Sequence, residues 1–153
     1  MLAEDERIVF VGQAVMFGGQ RAHETFSDIP EARRIEMPVA EDFQLGFCTG
    51  LALQGKLPVS FFPRYDFLIC ASNQLINHLD KMDAKVIIRT AVGANKPLDP
   101  GPQHTQDHTK GLRYMLDNIE IIELNDSDSV MSGYYKALAS PWSSIVVEYM
   151  RLY

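Results

Sequence analysis

Short apolar runs rich in β-branched residues recur along this chain, and their recurrence limits what it can fold into. RIVFVGQAV (7–15), KLPVSFF (56–62), KVIIRTAV (85–92), IEIIELN (119–125) and SSIVVEY (143–149) are each bounded by charge, Gly or Pro, and ARRIEMPV (32–39) is a shorter run ending near Pro38. Runs this continuously apolar suit strands buried on both faces, as in a parallel sheet. Helical patterns fill the intervals at 41–54, 66–82, 107–116 and 127–139. In 41–54, Phe43, Phe47 and Leu51 recur at i, i+4 and i+8, a stripe expected to be buried, with Gly46 and Gly50 on a neighbouring face. Asp126 and Asp128 put negative charge where the dipole of the last helix favours it. Strand and helix alternating in this way predict an α/β three-layer sandwich with a mostly parallel sheet and right-handed crossovers. Ligands of such folds sit beyond the carboxyl ends of the strands.

The 153 residues suit one domain, 1–153, which at this size buries about 70% of its unfolded surface. A net charge of −6 without any Lys/Arg run argues against binding nucleic acid or anionic membrane. Nothing approaches the ~20 apolar residues of a membrane span. The acidic opening MLAEDERIVF is unlike a signal peptide, so a cytoplasmic protein is expected. Cys48 and Cys70, the two cysteines, both lie in apolar stretches outside any C-x-x-C and are expected to be reduced core residues.

Candidate chemistry gathers at a few places. GANKPLDPGPQHTQDH (93–108) follows a strand and carries three prolines and two histidines, and a polar loop at a strand's carboxyl end is a common seat of function. His104 and His108 form an H-x3-H pair, which on a helix would share one face. The Glu of a zinc protease is missing between them, so a loop histidine and a histidine aimed into a ligand cleft stay open beside the metal reading. Glu41 heads the helix at 41–54, and two readings fit. One is a carboxylate stabilised by the helix dipole in water. The other is a partly buried carboxyl whose proton is held for a ligand nitrogen. Gly12, Gly18 and Gly19 in GQAVMFGGQ match neither the dinucleotide nor the P-loop fingerprint and read as turn formers. Phe61, Phe62 and Phe67 read as core aromatics, and no G-x-S-x-G elbow occurs.

Four segments occur in the order and spacing of a known module: MPVAEDFQLGFCTGLALQGKLPV, FLICASNQLIN, GPQHTQD and IVVEYMRLY. From about Arg7 to Tyr153 the chain resembles the pyrimidine-binding domain of thiamine-diphosphate enzymes, in the style of the β subunits of 2-oxoacid dehydrogenase decarboxylating components. The resemblance implies that Glu41 contacts the aminopyrimidine nitrogen opposite the exocyclic amino group and favours the imino tautomer. It also implies that Phe67 stacks on the pyrimidine and that His104 lies near the substrate side of the thiazolium. On this view the cofactor supplies the carbanion chemistry, and protein supplies tautomer and orientation.

Departures from that pattern bear on specificity. Phe61 stands where an acidic residue is usual, Pro63 and Arg64 follow it, and the connection after Asn77 is short. No Gly-Asp-Gly motif occurs, so the resemblance implies a partner chain of α type that binds the diphosphate and holds Mg²⁺. Two such subunits with two partners form the implied assembly, with the 41–54 helix at or near the contact. The implied reaction is decarboxylation or acyl or ketol transfer on a 2-oxo acid or ketose. Two other readings remain: a degenerate, non-catalytic pyrimidine domain serving assembly or regulation, and a flavodoxin-like domain binding another nucleotide or phosphate.

Overall fold

A computed structural model describes residues 2–18 and 21–152. Six strands form one sheet: β1 (Ile8–Gly12), β2 (Arg34–Glu36), β3 (Leu57–Phe62), β4 (Ile87–Val92), β5 (Glu120–Leu124) and β6 (Ser144–Tyr149). Their order is β2-β1-β3-β4-β6-β5, and every pairing is parallel rather than most of them. All six carboxyl ends therefore lie along one edge. The helices are α1 (Arg21–Glu24), α2 (Glu41–Leu53), α3 (Tyr65–Ile69), α4 (Thr109–Met115) and α5 (Asp128–Ala139). Pro58 is accommodated because pairing of β3 with β4 starts one residue later, at Val59, so the missing N–H falls at the strand's start.

Alternation along each strand divides the core into two layers. Phe62, Ile88, Ile145 and Val147 pack with Leu45, Cys48, Leu68, Leu75 and Leu112 beneath α2, α3 and α4. Val59, Phe61, Ile87 and Val146 pack with Phe26, Tyr134 and Ala137 on the α5 side. The three-layer α/β reading of the sequence holds. Among the described residues no helix is long and apolar enough to cross a membrane.

Several local expectations are corrected. The 7–15 run leaves the sheet at Gly12, where an added Cβ would stand 2.4 Å from the Phe61 carbonyl oxygen of the adjacent strand. Gly12 thus serves close strand approach rather than a turn, while Gly19 lies outside the described residues. The stripe expected to be buried on α2 is not. Phe43 is 61% exposed and Phe47 and Leu51 are only partly covered, while Gln44, Leu45, Cys48 and Thr49 face the core. The apolar residues of α2 span two faces, and the sheet covers only one of them.

The helix expected over 66–82 is three pieces: α3, a π segment (Asn73–His78) and a 3-10 turn (Leu79–Lys81). Leu68, Ala71, Leu75 and Leu79 still form one buried stripe, so spacing reported the buried face and not the hydrogen-bond pattern. Cys48 is buried as expected, but Cys70, at the end of α3, is exposed.

Charge also enters the sheet. Arg89 in β4 donates from Nε to Glu148 Oε1 in β6 at 2.8 Å and from Nη2 to Oε2 at 3.2 Å. Its guanidinium lies 5.3 and 5.2 Å from the ring centroids of Phe26 and Phe61. Tyr134 of α5 donates to the same Glu148 at 3.1 Å. Satisfied on all sides, the pair is tolerated inside the fold.

Candidate functional site

Glu41, Phe67 and His104 all lie along the carboxyl edge of the sheet. The β2–β3 connection must pass over β1 to reach its place in the sheet. The helix it carries, α2, therefore starts beside the end of β1, at the first reversal of strand order, where ligands of such sheets bind. Glu41 is the first residue of α2 and is half-buried. Gln13, one residue past β1, donates from Nε2 to Glu41 Oε1 at 3.2 Å. Among the described residues that is the carboxylate's one hydrogen bond. Ala40, the N-cap, supplies no side-chain cap, so the helix dipole bears on Glu41 directly. The first turn of α2 is pinned from below, because buried Gln44 donates to Ser60 Oγ at 3.1 Å and to the Phe61 carbonyl at 3.0 Å.

Sequence reasoning singled out Glu41 but not Gln13, which carried no signal beyond its place after a strand. It also missed Glu36, whose carboxylate accepts from the backbone N–H of Ala14 at 2.6 Å and of Met16 at 2.8 Å. Those bonds hold the turn that presents Gln13 and admit Ala14 at a φ of 58°. A cleft of about 430 Å³ opens here, lined by Gln13, Phe17, Met37 and Val39 among others.

Phe67 and His104 meet. Their ring centroids are 5.4 Å apart at 78°, an edge-to-face contact. Phe67 is on α3, just past β3, and His104 is on the long loop past β4. β3 and β4 are adjacent in the sheet, and this adjacency brings the rings together. Phe67 is thus half-buried at the edge rather than the core aromatic its composition suggested. Gly93 permits the contact, since a Cβ there would lie 2.0 Å from the His104 carbonyl oxygen. His104 Nδ1 is buried without a hydrogen-bond partner. Glu41 shares this edge, but its hydrogen-bond partner, Gln13, follows β1 rather than β3 or β4.

His104 and His108 do not share a helix face. His104 lies in irregular chain and His108 caps α4. His108 Nε2 stands 3.3 Å from Asp66 Oδ1, and its ring is edge-on to Tyr65 at 5.6 Å. Among the described residues no group of His, Cys, Asp and Glu side chains is placed to hold a metal ion. The loop's far end is tied down by Tyr149, the last residue of β6. Its hydroxyl lies 3.1 Å from Asp107 Oδ2 and 2.7 Å from Glu123 Oε2. Burial, then the Glu123 hydrogen bond, pushes the Tyr149 hydroxyl well above the ordinary phenol range. Burial pushes Asp107 up, but hydrogen bonds from Thr109 and Tyr149 outweigh it and hold its carboxyl below the usual range. Tyr149 and Arg113 hold Glu123 below its usual range as well.

Taken together, the edge offers a carboxylate with one oxygen engaged, an aromatic face, and an imidazole with an unpaired nitrogen. Such a set can accept or hold a proton on a heterocyclic ligand and stack against its ring.

Comparison with known proteins bears on what that ligand is. The sequence matches the family described as "Transketolase, pyrimidine binding domain" over residues 1–153. It is 30% identical over 130 residues to the 3-methyl-2-oxobutanoate dehydrogenase subunit beta of Mycobacterium tuberculosis, covering 75% of this chain and 37% of that one. It is 33% identical over 85 residues to the mitochondrial 2-oxoisovalerate dehydrogenase subunit beta of Chaetomium thermophilum, covering 52% of this chain and 18% of that one. The chain thus spans well under half the length of these relatives. Among solved structures, transketolase from Campylobacter jejuni superposes with a TM-score of 0.79 at 16% identity, over 95% of this chain and 23% of that chain. A protein described as a split gene transketolase, inactive beta4 tetramer, superposes with a TM-score of 0.76 at 20% identity, over 96% of this chain and 46% of that chain. At such identities the structural likeness shows the fold alone.

Proposed function

Because the chain belongs to the transketolase pyrimidine-binding domain family, we propose that it is the pyrimidine-binding subunit of a split thiamine-diphosphate enzyme acting on a 2-oxo acid or ketose. The observation that carries this reading is the edge-to-face contact of Phe67 with His104 at 5.4 Å, on the same sheet edge as a carboxylate oriented by Gln13. These residues fit an aminopyrimidine. Glu41 has an oxygen to spare for a ring nitrogen, and Phe67 presents an aromatic ring beside a histidine with an unsatisfied Nδ1.

Thiamine diphosphate supplies carbanion chemistry when bound. This chain's residues do the rest of what is asked on the pyrimidine side. Glu41 holds a proton at its free carboxylate oxygen, and Gln13 keeps that carboxylate from rotating. Phe67 orients the ring, and His104 faces the substrate. Among the described residues no group of His, Cys, Asp and Glu side chains is placed to hold a metal ion, and in this reading a diphosphate-binding partner chain of α type holds the diphosphate and Mg²⁺. The exposed Phe43 and the half-covered Phe47, their centroids 6.3 Å apart, give α2 an apolar face beside Glu41 for such a contact. Cover from that chain would exclude water from the carboxylate, and two subunits with two partners complete the assembly.

The test is reconstitution. The chain is purified with a partner bearing the diphosphate motif, and turnover of 2-oxo acids and ketose phosphates is measured with thiamine diphosphate and Mg²⁺. Glu41→Gln is expected to leave assembly intact and to lower the rate about 10²- to 10⁴-fold, the range of acid–base catalysis. An undiminished rate in that variant overturns the assignment of Glu41. A stable complex without turnover in the unaltered protein points instead to a non-catalytic domain.

A further inference from the structure

Arg64 lies at the carboxyl edge of the sheet, and among the described residues its guanidinium makes a single hydrogen bond. It follows β3 directly and caps α3, on the edge that carries Phe67 and His104. Its Nη1 donates to the Pro63 carbonyl at 2.7 Å, and its Nε is buried with no hydrogen-bond partner. Among the described residues no carboxylate forms an ion pair with it. A guanidinium carries five donors in a rigid fork, so one carbonyl leaves most of them unanswered. Its place next to His104 is set by Gly93, whose missing Cβ would lie 3.5 Å from Arg64 Nε and 2.0 Å from the His104 carbonyl oxygen. Two more unpaired polar atoms sit nearby in sequence or contact, His104 Nδ1 and Asp66 Oδ2. Asp66 is turned toward His108, to which its other oxygen is bonded.

From this geometry we infer that Arg64 recognises an oxyanion at the end of the substrate that survives the reaction, a distal carboxylate or a phosphate. The inference rests on the proposed function for the identity of the ligand as substrate. The fork suits either oxyanion in a bidentate pair. A carboxylate about to leave as carbon dioxide is a poor target. An arginine clamped on it binds the ground state more tightly than the transition state and raises the barrier. The substrate class is therefore a 2-oxo dicarboxylate or a sugar phosphate rather than a 2-oxo acid with an apolar side chain.

The experiment uses the full chain without cofactor or partner, so that it fails independently of the Glu41 test. The Nε–Hε resonances of the arginines are followed by nitrogen–proton correlation NMR while inorganic phosphate or glutarate is added at constant ionic strength. The Arg64 resonance is assigned by its loss in Arg64→Gln. A saturable shift of that resonance, accompanied by a shift of His104 ring signals, is expected with one of the probes. The probe that acts separates phosphate from carboxylate recognition. Arg64→Lys keeps the charge without the fork and is expected to weaken the His104 response. An Arg64 resonance unmoved by both probes overturns the inference. So do His104 shifts of equal size in Arg64→Gln, because the anion would then be binding elsewhere.

Discussion

Gln13 and Glu41 are hydrogen-bonded across 3.2 Å, although a strand, a helix and a connection separate them along the chain. The bond exists because β3 lies on the other side of β1 from β2, which carries the start of α2 over the end of β1. The bond restrains the Glu41 carboxylate, and restraint of this kind is what the proposed role of Glu41 calls for.

Gln13→Ala is expected to lower kcat of the reconstituted enzyme about 10- to 100-fold, the worth of one hydrogen bond to a charged group. Stability of the isolated chain should change by no more than about 0.5 kcal/mol, as for a substitution away from the core. Comparing kcat with the urea midpoint separates the two effects.

Gly93→Ala sets a Cβ against the His104 carbonyl oxygen, which would have to move from 2.0 Å. Overpacking against backbone costs about 1–3 kcal/mol, so the urea midpoint should fall. The ring-current shift between Phe67 and His104 should be lost in the same variant, because the loop that places His104 has been displaced.

Tyr149 joins Asp107 to Glu123, and both carboxyls are held below their ordinary values of 3.8 and 4.5. A lowered folded value means that the contribution is present above those ordinary values and is lost as the pH falls through the lower folded ones. Stability measured by urea unfolding should therefore drop as the pH falls below those ordinary values. Tyr149→Phe should flatten this acid limb, since it removes the hydroxyl common to both carboxyls.

The two thiols should separate cleanly. Burial pushes Cys48 up to about 12, and Cys70 is exposed and free. At about pH 8 a thiol reagent should titrate one cysteine rapidly in the folded chain, because only the thiolate reacts. The second should react only after unfolding, and Cys70→Ser should abolish the fast phase.

Much of this fold was legible in the chain. Six apolar runs became six parallel strands, because a strand buried on both faces has no room for polar alternation. That Glu41, Phe67 and His104 would lie along one edge was legible as well, since each follows a strand of a parallel sheet. The stripe on α2 was misread. Spacing marks an apolar face, but whether the sheet or another surface covers it depends on how the helix is rotated. The 66–82 segment was misread for a related reason. Its leucines are buried through α, π and 3-10 turns alike, so their spacing did not reveal the backbone between them.

Local patterning thus determined the strands and most of the helical stretches, because backbone periodicity and side-chain burial act over a few residues at a time. Only the tertiary structure decided that Gln13 would answer Glu41, that Phe67 would meet His104, and that Arg64 would be left with an unpaired Nε. Those relationships come from the order in which strands enter the sheet. That order is settled by the packing of the whole chain and is written in no single segment of it.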